Sequence, residues 1–218
     1  MRRVHWWGIP LLMAVVLATF ENSSDAAEPL ELKDKDRVVM LGATFIEREG
    51  QFGYLETALT TAWPDRKITF RNLGWSGDTV WAESRGIFDA PQVGYQRMIA
   101  LVKELKPTVI IFGYGLNESY AGDAGLEPFV KQFEKLCDDV KPTGARFVFV
   151  TPTRLEKPRA PLPDASKQNA MLEKYAAAIR QLASRREAPV IDLFALEPAA
   201  RNLTENGMHF GPSGYAAI

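Results

Sequence analysis

Short runs of apolar, β-branched residues alternate with longer amphipathic stretches along most of this chain. The apolar runs predict five strands, at residues 37–42, 67–72, 108–113, 146–151 and 189–193. Strands that are apolar throughout and are separated by helices are typical of a parallel sheet that is covered on both faces. Because crossovers between parallel strands are right-handed, the pattern predicts a three-layer α/β/α sandwich.

The stretches between the strands have helical periodicity. They predict helices at residues 52–63, 93–105, 126–140 and 165–186, and a long proline-rich loop at 152–164. No internal repeat and no second domain are visible in the sequence. The chain stops at Ile218, soon after a Gly-Tyr pair, so the sequence leaves open whether a last helix is missing.

The N-terminal segment has the pattern of a secretory signal peptide. A positively charged start precedes a mostly apolar run at 5–20, and small residues, Ser24 and Ala26, stand where cleavage motifs need them. We expect residues 1–26 to be removed, 27–218 to form one domain, and the protein to be exported to the periplasm or the medium. An uncleaved anchor helix is the alternative, because the apolar run approaches the lower limit for spanning a bilayer.

Composition and rare residues exclude several classes of function. With 26 basic and 27 acidic residues, the chain shows no electrostatic footprint for nucleic acid. Cys137 is the only cysteine, and its helical surroundings indicate a small buried residue and not a nucleophile. His209 is the only histidine outside the leader, which leaves one candidate imidazole base and no histidine pair for a metal. No cofactor motif is present, and we expect no cofactor and no metal.

Glycine-rich and polar segments follow four of the predicted strands. They are GATFIE at 42–47, NLGWSGDT at 72–79, GYGLNES at 113–119 and NGMHFG at 206–211. Ligands of parallel sheets bind beyond the carboxyl ends of the strands. Together these segments supply a hydroxyl, free backbone N–H groups, a side-chain amide and an imidazole, which are the parts of an acyl-transfer site.

In order and spacing, these four segments resemble the sequence blocks of the SGNH (GDSL-type) hydrolases. The resemblance spans roughly residues 37–215, and the wording GATFIER, NLGWSGDT and YGLNES also resembles GDSL-like domains from planctomycete-type bacteria. The resemblance implies a flavodoxin-like sheet with strand order 2-1-3-4-5. It also implies hydrolysis of esters, often of acyl groups on carbohydrates or lipids.

The resemblance places the family's nucleophile position on Thr44, its base on His209 and its base-orienting position on Asn206. It places the two oxyanion donors on Gly77 and Asn117. Two positions depart from the family pattern. The family has serine where this chain has Thr44, and aspartate where it has Asn206. The methyl group of threonine restricts χ1 and crowds the attacking oxygen, and a neutral amide can hold the wrong tautomer of histidine.

Three aromatic residues near these segments have two interpretations. Trp75, Trp81 and Tyr114 either form an aromatic wall for a sugar or an acyl chain, or are half-buried packing residues. We take Trp75 and Tyr114 as candidate substrate-binding residues. Asp78 is expected to cap the segment that follows it, and Glu205 is expected to point away from His209.

The sequence therefore supports three hypotheses for function. The first is an exported esterase that acts on a small-molecule or carbohydrate ester, for example by removing acetyl groups from carbohydrates. The second is a catalytically weak or inactive domain that binds glycans or acyl groups in the same cleft. The third, an interaction domain, is disfavoured because it needs no such combination of groups.

Overall fold

Five parallel strands form one sheet at the centre of the structure, a computed structural model that describes residues 30–156, 164–196 and 203–218. The strands are β1 (Arg37–Gly42), β2 (Thr69–Gly74), β3 (Val109–Gly113), β4 (Arg146–Val150) and β5 (Val190–Ile191). Their order in the sheet, β2-β1-β3-β4-β5, is the predicted one. The predicted signal peptide lies outside the described residues, as does the middle of the proline-rich loop.

Helices cover both faces of the sheet, which confirms the three-layer α/β/α prediction. The helices are α1 (Thr44–Phe52), α2 (Tyr54–Ala62), α3 (Pro91–Leu105), α4 (Gly122–Val140), α5 (Ser166–Arg185) and α6 (Pro212–Ala216). Within the three described ranges, none of them is long and apolar enough to span a bilayer.

Alternate residues of the central strands enter two separate cores. Val39, Leu41 and Phe112 pack with α3, α4 and α5 on one face, while Val38 and Met40 pack with α1 on the other. This is the period of two that a strand imposes on its side chains. Cys137 lies fully buried in the first core, where burial raises the pKa of its thiol to about 12, so it has the structural role that the sequence predicts.

The segment between β1 and β2 differs from the prediction of a single helix at 52–63. The chain enters α1 at Thr44, directly after the strand, and Gly53 separates α1 from α2. Gly53 has a left-handed backbone with φ of 68°, and its N–H donates to Glu49 O at 2.7 Å, which ends α1. The earlier start matters because it places Thr44 in the first turn of a helix.

Glycine at the end of β2 allows α1 to pack directly against the sheet. A Cβ atom on Gly74 would lie 2.1 Å from the backbone nitrogen of Glu47 and 2.5 Å from the carbonyl carbon of Ile46. Neither atom belongs to a side chain that could rotate away. The position of α1, and with it that of Thr44, therefore depends on the absence of a side chain here.

We expect Gly74→Ala to lower the free energy of unfolding by about 1–3 kcal/mol, as overpacking does. Urea denaturation of both proteins measures this difference. Gly50→Ala is the matched control, because its Cβ would meet only the side-chain amide of Asn72, at 3.2 Å, and alanine is favoured in a helix by up to about 1 kcal/mol. Equal losses in the two variants would contradict the backbone contact.

Candidate active site

A small cleft lies beyond the carboxyl ends of β1, β3 and β4, where ligands of parallel sheets bind. Its volume is about 40 Å³. We call it the Thr44 cleft. Three of the predicted catalytic and oxyanion residues, Thr44, Asn117 and His209, line it together with the candidate substrate-binding residue Tyr114. Its other lining residues are Ala43, Phe45, Arg48, Gly113, Tyr114, Leu116, Val150, Thr151, Pro152, Thr153, Met208, Phe210 and Tyr215.

Thr44 and Gly77 meet although 33 residues separate them. The backbone N–H of Gly77 donates to Thr44 Oγ1 at 3.0 Å. Gly77 has a φ of 70°, a left-handed conformation that glycine adopts at little steric cost. An oxyanion donor points at the carbonyl oxygen of the substrate, so this N–H could serve as one only by exchanging Thr44 Oγ1 for that oxygen.

Asn117 connects the loops that follow β2 and β3. Its Nδ2 donates to the backbone oxygen of Asp78 at 2.7 Å. An amide nitrogen carries two hydrogens, so one remains for a ligand. Of the two predicted oxyanion donors, Asn117 lines the Thr44 cleft, and Gly77 lies next to it through its bond to Thr44.

Glu118 is a structural element of the site that sequence reasoning missed. It is buried, and its two carboxylate oxygens accept the N–H groups of Val80 at 2.9 Å and Gly115 at 2.8 Å. Burial raises the pKa of this carboxyl to about 7, although the backbone donors oppose the rise. The available signal was a carboxylate in the loop that follows a buried strand, next to Asn117.

Asp78 takes part in a buried ion pair and does not act as the expected helix cap. Arg85 Nε lies 2.6 Å from Asp78 Oδ2, and Arg85 Nη2 donates to the backbone oxygen of Leu73 at 2.6 Å. The hydroxyl of Tyr114 donates to the same carboxylate at 3.4 Å. The pair fixes the loop from which Gly77 and the backbone of Asp78 face the site.

The two candidate substrate-binding aromatics have different surroundings. Tyr114 is 2% exposed and packs edge-on against Phe133, with ring centroids 5.9 Å apart. It lines the Thr44 cleft while being almost fully buried, and its role in substrate binding stays a prediction. Trp75 is 42% exposed, with the guanidinium of Arg85 5.8 Å from its ring centroid. It does not line the Thr44 cleft and remains a candidate only for a longer substrate.

The side-chain amide of Asn206 has a defined orientation. Its Oδ1 accepts the backbone N–H groups of Met208 at 3.1 Å and His209 at 2.9 Å. Because both partners are donors, the oxygen must face them, and Nδ2 therefore faces His209 Nδ1 at 3.1 Å. An amide nitrogen only donates, so Nδ1 accepts and the neutral ring carries its proton on Nε2.

This tautomer is the opposite of the one that a general base at Nε2 requires. With a proton on Nε2, that nitrogen has no free lone pair to accept the hydroxyl proton of Thr44. Among the described residues, Thr44 and His209 share no hydrogen bond, and the partner of Thr44 Oγ1 is Gly77. The site thus brings the hydroxyl of Thr44 together with the N–H of Gly77 and the amide of Asn117, and the ring of His209 carries its proton on Nε2.

Arg48, in α1, holds the loop that carries His209 (residues 205–210) against that helix. Its Nη2 lies 2.7 Å from Glu205 Oε2 and its Nε donates to the backbone oxygen of Phe210 at 3.1 Å. Glu205 therefore points away from His209, as the sequence predicts. Tyr215 adds a hydrogen bond to the backbone oxygen of Phe45 at 2.5 Å. Within the described ranges, no group of three or more His, Cys, Asp or Glu residues is placed to hold a metal ion.

Comparison with known proteins identifies the family. Residues 42–217 match the model of the GDSL-like Lipase/Acylhydrolase family. The chain belongs to this family. No curated protein matches the chain in sequence at a significant level. As a GDSL-like protein, it is assigned to lipases and acylhydrolases, enzymes that cleave acyl esters.

Solved structures share the GDSL-like fold at low sequence identity. Axe2, an acetylxylan esterase from Geobacillus stearothermophilus, is 18% identical with a TM-score of 0.63, over 85% of this chain and 91% of that one. LAE5, an alpha/beta hydrolase enzyme from the metagenome of Lake Arreo, is 19% identical with a TM-score of 0.60, over 84% and 91%. BT4096, a gut microbial diltiazem-metabolizing enzyme, is 17% identical with a TM-score of 0.62, over 88% and 46%. Catalytic mutants of Axe2 replace a serine, an aspartate and a histidine.

We expect ¹⁵N NMR of histidine-labelled protein to show His209 protonated on Nε2 at about pH 8.5, where an ordinary imidazole is neutral. Asn206→Asp should move this proton to Nδ1, because a carboxylate accepts where the amide donates. The His209→Ala spectrum identifies the signal, since His5 is the only other histidine. Finding the Nδ1–H form in the wild type would contradict the assigned orientation of Asn206.

Proposed function

We propose that this GDSL-like protein is an exported ester hydrolase that removes small acyl groups, acetyl above all, from carbohydrates, with Thr44 as its nucleophile. The observation that carries the proposal is the hydrogen bond from Gly77 to Thr44 Oγ1, in a cleft shared with Asn117 and His209. Export rests on the signal-peptide pattern of residues 1–26. The carbohydrate ester rests on the fold shared with an acetylxylan esterase.

The reaction follows the chemistry of a hydroxyl nucleophile. Thr44 Oγ1 attacks the ester carbonyl carbon, and the oxygen that becomes negative receives hydrogen bonds from Gly77 N–H and Asn117 Nδ2. The alcohol leaves with a proton, and water then releases the acid from the acyl-threonine. His209 accepts the proton of Thr44 only after its own proton has moved from Nε2 to Nδ1, which breaks the hydrogen bond with Asn206.

The size of the cleft supports a small acyl group. About 40 Å³ is room for a few atoms, since roughly 10–15 Å³ by this measure holds one water molecule. The lining includes the apolar side chains of Phe45, Val150 and Met208, which suit a methyl group. A long fatty acyl chain would have to lie outside the cleft.

A second function, binding of acyl groups or glycans without efficient turnover, is favoured by the orientation of Asn206. The amide withholds the lone pair that a base needs, while Gly77 and Asn117 remain as donors for a carbonyl oxygen. A site of this kind would bind an acyl ester and cleave it slowly. The two functions are separated by the rate of hydrolysis and by its dependence on Thr44.

The decisive assay is hydrolysis of acetyl and longer-chain aryl esters by wild type and variants. Thr44→Ala and His209→Ala should reduce turnover to background, and Thr44→Ser should keep or raise it, because serine lacks the crowding methyl group. Ser76→Ala is the matched control: its exposed hydroxyl bonds Glu47 at 3.0 Å outside the cleft, so its loss should leave turnover unchanged. If Thr44→Ala turned over as fast as wild type, Thr44 would not be the nucleophile.

Asn206→Asp should raise turnover at neutral pH by at least about tenfold. A carboxylate would hold the Nδ1–H tautomer and stabilise the imidazolium, and the reverse change in a serine protease costs about 10⁴. Asp keeps the acceptor oxygen that bonds Met208 and His209, so the loop should persist. Ser213→Asp adds the same charge four positions from His209 and should leave turnover unchanged. An unaltered rate in Asn206→Asp would mean that another group orients His209.

A further inference from the structure

The polar groups that converge on the Thr44 cleft are mainly hydrogen-bond donors. Asn117 has a second Nδ2 hydrogen, and His209 carries the Nε2 proton that follows from the orientation of Asn206. The backbone N–H of Gly77 donates to Thr44 Oγ1 and reaches an anion only by leaving that hydroxyl. Arg48 also lines the cleft, and its charge is offset only in part by Glu205, whose side chain is 54% exposed. Among the described residues that line the cleft, none is Asp or Glu. An acceptor with a negative charge complements such a surface.

We propose that the Thr44 cleft is a binding site for a small carboxylate anion, acetate being the simplest, and that Asn206 creates it by keeping the proton of His209 on Nε2. This inference goes beyond ester hydrolysis, because binding requires no turnover. It also connects to the proposed reaction, since the released acid would be a ligand of the resting site.

The shape and charge of a carboxylate fit these donors. Each ionised carboxylate has two oxygens that accept about four hydrogen bonds, and bonds to a charged acceptor are about twice as strong as neutral ones. A planar group with one methyl substituent suits a cleft of about 40 Å³. Sulfate and phosphate are tetrahedral and larger. A neutral amide such as acetamide has the shape of acetate but only one acceptor oxygen and no charge.

The role of Asn206 separates this proposal from a general attraction for anions. In Asn206→Asp the proton would sit on Nδ1, and the lone pair of Nε2 would face the bound carboxylate. The same substitution that should accelerate hydrolysis should therefore weaken anion binding. Two opposite effects of one change would not arise from damage to the loop.

The test is titration of the full chain with sodium acetate, followed by NMR at about pH 8.5. A four-atom ligand should bind with a Kd on the order of 1 mM. Asn206→Asp and His209→Ala should each raise this Kd at least tenfold. Ser213→Asp, which adds a charge at an exposed position of α6, should change it less than twofold. Acetamide should bind at least tenfold more weakly than acetate.

Each outcome decides the proposal. No acetate binding, equal binding by wild type and Asn206→Asp, or tighter binding of sulfate or phosphate than of acetate would overturn it. If Ser213→Asp weakened acetate binding as much as Asn206→Asp does, the proposal would also be overturned. Net charge, and not the tautomer of His209, would then account for the weaker binding. Acetate binding without hydrolysis would leave this inference standing and remove the esterase proposal, whereas hydrolysis without acetate binding would do the reverse.

Discussion

The site depends on one buried carboxylate. Glu118 accepts the N–H of Val80 from the loop after β2 and the N–H of Gly115 from the loop after β3. The neighbouring Asn117 adds a bond to the backbone oxygen of Asp78, so the two loops form one unit. Removing a partner from a buried polar group costs its full desolvation, about 1–3 kcal/mol and more when the group is charged. Gly77 and Asn117 hold their positions relative to Thr44 because this unit is hard to break.

Much of the architecture could be predicted from the sequence because the signals are local. Apolar strands separated by helices dictate a covered parallel sheet, and the segments after β1, β2 and β3 meet because parallel strands end at the same edge. The start of α1 was missed, since the apolar pattern before Gly53 gave no clear boundary. Glu118, Arg48 and the Asp78–Arg85 pair were also missed or misassigned. Arg48 bonds a residue 157 positions away, and no local pattern encodes such a contact.

The sequence could show that a carboxylate is replaced by Asn206, but not which way the amide faces. That orientation is set by the backbone N–H groups of Met208 and His209, which both require an acceptor. Their positions follow from the turn that the loop makes as Arg48 and Tyr215 hold it against α1. A substitution that looks like the loss of one charge is, in the folded protein, also the reversal of one hydrogen bond.

The free-energy cost of breaking that reversed hydrogen bond decides whether His209 could act as a slow base or as none. To act as a base, His209 must give up the hydrogen bond with Asn206, and a neutral bond contributes about 0.5–1.5 kcal/mol. Asn206 is exposed, so water can replace the lost partner of its amide. A cost near 1.4 kcal/mol corresponds to about tenfold in rate, and the missing stabilisation of the imidazolium adds to it. In the proposed reaction, the tautomer alone therefore slows proton transfer from Thr44 to His209 without preventing it.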